Sequence, residues 1–188
     1  GYGDPVGEAN KQLAMAISQK IDQDAIDALY GASLSFNGVA NKISYAGIVD
    51  AIDVFEEEYN TEKAIFIHPK QLSQLRKDAD FISADKYASS SAVMLNGEIG
   101  KICNTRVVVS KRVKENTEHT GYVNPIVKLT YDAETEQDTS ALTIFLKRGV
   151  MVETGRDIDK QINMIRISQN YIVALTDESK VVLLTTKK

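Results

Sequence analysis

Few residues in this 188-residue chain stand at spacings that could do chemistry. Asn96-Gly97-Glu98-Ile99-Gly100-Lys101-Ile102 is superficially like a phosphate loop, in which backbone N–H groups cradle phosphates and a lysine reaches them. A Walker motif needs Gly at position 95 and Ser or Thr at position 102, where this chain has Leu95 and Ile102. The segment is therefore expected to be a glycine-flexed turn entering a strand. Cys103 with His68 or His119 has the residue types of a nucleophile–base pair. Nothing in the local sequence supports that pair. The lone cysteine is expected to be a small buried hydrophobe, His68 a neutral capping or packing residue, and His119 a solvated loop residue. Glu56-Glu57-Glu58 is the most acidic spot. Three consecutive residues point to different sides of a helix, so they cannot converge on one metal and are expected to form a solvated helix end. Glu153, Asp157 and Asp159 stand beside Arg156 and Lys160, and such mixed signs predict local salt bridges or a subunit contact. A carboxylate pair for hydrolysis is the competing reading of the same residues. No catalytic, metal or cofactor site is expected.

The elements around these residues set where they can stand. Asp4 is a suitable N-cap and Pro5 a suitable first residue for a long amphipathic helix. Leu13, Ile17, Ile21, Ala25, Ala28 and Leu29 form its apolar stripe. Some 25 residues at about 1.5 Å each reach roughly 37 Å, which predicts a structural rod. Gly31 and the polar run through Lys42 are read as its end. Ser44 caps a second helix with Ile48, Val49, Ile52, Phe55 and Tyr59 on one face. Lys63–Ile67 reads as a buried strand, and His68-Pro69 opens a third helix carrying Leu72, Leu75 and Ala79. Residues 82–92 read as an exposed loop, and Val93-Met94-Leu95 runs into the turn dipeptide Asn96-Gly97. Strand signals then dominate: 106–109, 122–131, 141–153, 160–168, 170–175 and 181–184, with polar connections at 114–121 and 132–140. Helices early and strands late make the class α+β.

Composition sets the remaining bounds. A net charge of -4 and the absence of a basic stripe interleaved with aromatics argue against a dedicated nucleic-acid surface. No apolar run reaches the roughly 18 residues of a membrane span. The single cysteine excludes an internal disulfide framework.

Four segments, in order, resemble the major capsid protein of tailed bacteriophages, with the Hong Kong 97-type fold. GDPVGEANKQLAMAISQKIDQDAIDAL (3–29) resembles that family's spine helix. AIFIHPKQLSQLRKDADFI (64–82) resembles its strand, His-Pro and helix. GEIGKICNTRVVVSKRV (97–113) is similar to its Gly-x-Ile-Gly segment and Val-rich strand. RDIDKQINMIRISQNYIVALTDESKVVLL (156–184) is similar to its charged turn, long strand and final hairpin. The resemblance implies a structural, non-enzymatic shell protein of a tailed phage or prophage. Such a protein assembles with copies of itself into pentamers and hexamers around DNA in the virion, after assembly in the bacterial cytoplasm. Scaffolding protein, maturation protease and portal are its implied partners, and neither a membrane nor a cofactor is implied.

The resemblance also implies two parts. A peripheral domain, with the spine helix and a narrow sheet, is expected at 1–40 and 125–168. A compact α/β axial domain is expected at 41–124 and 169–188, with the loop 83–96 as its tip. The family's N-terminal arm and extended loop precede the spine helix and have no counterpart here, so a fragment is expected. Arg76, Lys77, Asp78, Asp85, Lys86, Arg156 and Asp157 are the candidate intersubunit contacts, where charge would fix register more than affinity. The rival readings are an encapsulin-like compartment shell, a head–tail adaptor domain, and a small α/β enzyme using Glu153, Asp157 and His68.

Overall fold

The computed structural model describes residues 4–58, 61–80, 98–129, 139–157 and 159–188. The loop expected at 82–92, the Val93–Leu95 strand, the Asn96-Gly97 turn, and Asp85 and Lys86 lie outside the described residues. The chain divides into two compact units, Gly1–Ala28 with Thr143–Ala174 and Leu29–Leu142 with Leu175–Lys188.

The second unit is built on a mixed six-stranded sheet. Its strands are β1 (Leu34–Lys42), β2 (Lys63–Ile67), β3 (Glu98–Ile102), β4 (Thr105–Val109), β5 (Gly121–Lys128) and, last in the chain, β8 (Val181–Lys187). The order across the sheet is β1-β8-β5-β2-β4-β3. Helices α2 (Tyr45–Asp53) and α3 (Pro69–Leu75) belong to the same unit. Ile65 and Ile67 of β2, Val107, Ile126 and Leu184 pack with Ile48 and Ala51 of α2 and Leu75 of α3. The alternate residues Phe66, Val127, Val181 and Leu183 pack with Leu29, Ala141 and Leu175. Both faces of the central strands are thus buried, as alternation along a strand requires. That explains why β2 reads as an unbroken apolar run.

Two polar groups sit within this core. At one end of the β2–β5 pair, Lys63 and Lys128 are direct cross-strand partners. Like charges placed opposite each other would destabilise the pair. Glu57, just beyond α2, lies between them with contacts of 2.5 Å to Lys63 and 2.8 Å to Lys128, and the three side chains are 8%, 0% and 6% exposed in chain order. Burial pushes the Glu57 carboxyl up, but hydrogen bonds from Lys128, Lys63 and Thr61 outweigh it and hold its pKa below the usual 4.5. Farther along the sheet, Gln71, Asn124 and Thr186 are also buried. Gln71 donates to Asn124 Oδ1 at 3.0 Å and to Thr186 Oγ1 at 2.8 Å. Asn124 donates to Gln71 Oε1 at 2.8 Å and to the Phe66 carbonyl at 2.9 Å. Thr186 donates to Asn124 Oδ1 at 3.1 Å, and the His68 N–H donates to Gln71 Oε1 at 2.8 Å. Both amide side chains use all their donor and acceptor capacity, which a buried polar group needs to avoid a desolvation cost.

The first unit holds α1 (Pro5–Leu29) up to Ala28, with most of β6 (Leu142–Asp157) and β7 (Ile162–Leu175), which pair only with each other. The helix opens as expected, with Gly7 N–H donating to Asp4 Oδ1 at 3.0 Å. Leu29 is buried in the second unit's core. Just beyond it, Tyr30 OH donates to the Val123 carbonyl at 3.0 Å and accepts from Lys114 N–H at 2.7 Å.

Several expectations change. Leu34–Lys42, read as a polar helix end, is strand β1, with Leu34 and Phe36 turned inward between exposed Ser35 and Asn37. The strands expected at 160–168 and 170–175 are one strand, β7, because Ser168-Gln169-Asn170 carries polar side chains without a turn signal. Glu98–Ile102 is strand β3 and not a turn. The reversal follows it at Cys103 and Asn104, whose φ angles of 45° and 59° match a two-residue primed hairpin turn. Cys103 is exposed, not buried. The expected groupings 1–40 with 125–168 and 41–124 with 169–188 differ from the compact units. β1 and β5 pair with β8 in the second unit's sheet, and β7 runs unbroken to Leu175.

Removing Glu57 would leave two buried ammonium groups facing each other. Glu57→Ala is expected to lower unfolding stability by about 3–5 kcal/mol in urea titrations. Because the folded pKa of Glu57 lies below its unfolded value, the stabilisation is full above about 4.5 and is lost as pH falls through the folded value. The acid limb of the stability profile is expected to be steeper in the parent than in Glu57→Ala.

Candidate interaction surface

The first unit leaves large apolar side chains exposed among its described residues. The connection from β6 to β7 is four residues long, which only an antiparallel ribbon allows. A two-stranded ribbon in water is marginal without something against its faces. The helix supplies one partner. Tyr171 OH donates to Asp24 Oδ2 at 2.7 Å, and Lys20 holds the other Asp24 oxygen at 2.5 Å. The hydrogen bond to Asp24, with burial adding to it, pushes the Tyr171 phenol up to about 12. Hydrogen bonds from Lys20 and Tyr171 in turn hold the Asp24 carboxyl below its usual value.

Alternate residues of a strand share a face. On β7, Ile165, Ile167, Gln169, Tyr171 and Val173 are all half-buried, and Tyr171 reaches the helix, so these mark the helix side. Ile162, Met164 and Ile172 stand on the opposite face, 50%, 56% and 63% exposed. On β6, Met151 is half-buried, while Ile144, Leu146, Val150 and Val152 alternate with it and are exposed. The ribbon therefore carries seven large apolar side chains open to solvent, four on β6 and three on β7. Val6, Met15 and Phe145 complete the exposed large hydrophobics among the described residues, and all ten belong to the first unit. Single exposed apolar residues need no explanation, but a contiguous set confined to one unit marks an interaction site. The concavities on the ribbon are open grooves, one running past Phe145, Leu146 and Tyr171, another past Val6, Arg156 and Met164.

The charged residues singled out in the sequence scatter over the structure. Arg76 is the C-cap of α3 and is exposed, as is Lys77. Asp78 works locally, accepting Tyr45 N–H at 2.6 Å and Asp80 N–H at 3.1 Å. Arg156 is exposed beside the second groove. Asp157 shapes the ribbon turn by accepting Asp159 N–H at 3.1 Å and Lys160 N–H at 3.2 Å. His68 caps α3 in the second unit, whereas Glu153 and Asp157 lie on β6. His119 is exposed and pairs with Glu115 at 3.1 Å. Among Glu56–Glu58, expected to be a solvated helix end, Glu57 is instead the buried partner of two lysines. Among the described residues no three His, Cys, Asp or Glu groups converge to hold a metal. The ribbon's exposed apolar surface escaped the sequence reading. Its signal was available, as alternating apolar residues over 144–152 and 162–172, but alternation alone does not say that these side chains stay exposed.

Comparison with known proteins bears on this surface. A family model described as phage capsid protein matches residues 2–184. A curated major capsid protein of Staphylococcus phage phiMR11 is 28% identical over 185 residues, covering 98% of this chain and 61% of the relative. The chain thus spans about three-fifths of that relative's length. A solved chain of Mycobacterium phage Che8 superposes with a TM-score of 0.66 at 17% identity, over 94% of this chain and 61% of the other. The mature capsid of bacteriophage PhiM1 gives a TM-score of 0.69 at 12% identity, over 98% and 65%. The SrpI encapsulin of Synechococcus elongatus gives a TM-score of 0.63 at 10% identity, over 97% and 67%.

The Asp24–Tyr171 bond ties helix to ribbon within the unit. Tyr171→Phe and Asp24→Ala are each expected to cost about 1 kcal/mol. In a double-mutant cycle followed by urea unfolding, their effects are expected to fall short of additivity, and full additivity would show that the bond does not form.

Proposed function

The chain belongs to the phage capsid protein family, and from that premise we propose that it is the shell-forming part of a major capsid protein of a tailed phage or prophage. In this reading, copies of the protein join through repeated heterologous contacts into pentamers and hexamers of a closed shell. The observation that carries the proposal is the exposed apolar surface of the β6–β7 ribbon, seven large side chains each half or more exposed among the described residues. A neighbouring copy is the partner available at every position of a shell. Burying such a surface is worth roughly 25 cal/mol per Å2 of apolar area before the costs of association, so each contact is modest and the shell gains its stability by repetition.

We assign the first unit to the peripheral part, with α1 as its spine helix, and the second unit to the axial part. Arg76, Lys77 and Arg156 are exposed, and in this reading they fix register between copies; Asp85 and Lys86, which lie outside the described residues, are proposed for the same role. Asp78 and Asp157 support them through local backbone contacts. The protein is structural and not an enzyme. It resides in the virion, after assembly in the host cytoplasm with scaffolding protein, maturation protease and portal. DNA is enclosed without sequence-specific contact, in keeping with the net charge of -4. The phage relative and the family match favour this over an encapsulin-like compartment, which shares the fold alone.

Electron microscopy of the full gene product, co-expressed with scaffold and protease, is expected to show icosahedral shells or isolated pentamers and hexamers. Persistent monomers under those conditions would overturn the proposal. The double substitution Leu146→Lys with Ile172→Lys is expected to reduce assembled particles at least tenfold. The monomer's unfolding free energy should change by less than about 1 kcal/mol, since both side chains are exposed.

A further inference from the structure

His68 joins three separate pieces of the second unit. It is the N-cap of α3, and its Nδ1 accepts from Lys70 N–H at 3.2 Å. Its backbone N–H donates to Gln71 Oε1, the outermost bond of the buried amide network with Asn124 and Thr186. Its ring stacks on Tyr122 of β5, with 4.6 Å between centroids and an interplanar angle of 10°. A neutral imidazole can accept at Nδ1, and an imidazolium cannot. The cap and the positive charge are therefore mutually exclusive.

The surroundings decide which form prevails. Lys70 on α3, Lys111 beyond β4 and Lys188 at the end of the chain all oppose a charge on the ring. Glu115 favours that charge, but it is engaged by Lys188 at 2.8 Å and His119 at 3.1 Å. The face of Tyr122 also favours a cation, and Lys188 already lies over it at 5.8 Å. Burial and then Lys70 prevail over Glu115 and hold the imidazole below its ordinary 6.5.

We propose that His68 is an acid-sensitive clasp, whose protonation opens the cap of α3 and loosens α3 from β5 and β8. The folded ring is harder to protonate than the unfolded one. Its stabilisation is thus complete above about 6.5 and is lost as pH falls through the folded value. Loss of the Lys70 contact frees the first turn of α3. The movement then reaches Gln71, whose amide is bonded to Asn124, Thr186 and the His68 N–H.

The test is amide hydrogen exchange of the whole chain by NMR, corrected for intrinsic rates, between pH 7.5 and 5.0, with the His68 ring titrated in the same samples. Protection in α3 is expected to fall about threefold or more relative to α2, with the ring titrating below 6.5. In His68→Asn, which retains a pH-independent cap acceptor, that relative fall is expected to vanish. In His119→Gln it is expected to persist. A ring titrating at or above 6.5 in the parent would overturn the proposal even if the Asn variant fails to fold. The same relative fall in His68→Asn would overturn it too.

Discussion

A two-stranded ribbon cannot bury its own side chains, and among the described residues one helix packs with it in its unit. This geometric limit underlies the functional reading. In the six-stranded sheet the strands find apolar partners on both sides, and the charged and amide groups of its two buried clusters are paired, while the Thr105 hydroxyl is buried without a hydrogen bond. In the ribbon unit Ile144, Leu146, Val150, Val152, Ile162, Met164 and Ile172 are half or more exposed. A folded chain gains nothing from holding so many apolar side chains in water. The cost is offset only if another surface closes over them, and a symmetric assembly supplies that surface to every copy at once.

The second unit is the reverse case. Its core is bounded by two fully partnered polar groups, the Glu57–Lys63–Lys128 triad and the Gln71–Asn124–Thr186 network. Neither is the cheapest way to fill space, since an apolar replacement of similar volume is often neutral or better for stability. What such groups can add is uniqueness. Two lysines opposite each other tolerate one register of β2 on β5, the one that brings Glu57 between them. The amide network tolerates one position of α3 on the sheet. A subunit that must present the same surfaces in every copy benefits from a core with a single arrangement, and this account predicts that requirement for the second unit.

The local parts of this fold were legible in the sequence because local rules set them. Asp4-Pro5 fixed the start of α1, Ser44 that of α2, and the Lys63–Ile67 run followed by His68-Pro69 gave β2 and α3. The order of segments carried the family resemblance. The failures share another cause, which is dependence on distant partners. β1 looked polar because half of it faces solvent and its pairing with β8 is about 150 residues away in sequence. Glu57 looked solvated because its two lysines come from other elements. Cys103 occupies a turn position where Asn or Gly is usual, so no turn signal pointed to it. The charged candidates were chosen as contacts by type alone, and two of them, Asp78 and Asp157, spend their oxygens on nearby backbone. The interaction surface was the hardest to see, because sequence alternation marks a strand and only the folded unit shows which side chains stay exposed.

Neighbouring copies are proposed to cover the exposed apolar side chains of the ribbon. This is tested most directly by comparing hydrogen exchange of residues 142–157 and 162–175 in free subunits and in assembled particles. The account predicts strong additional protection of both strands on assembly, with β2 and β5 little changed because they are buried already. Equal protection of the ribbon in the two states would contradict it.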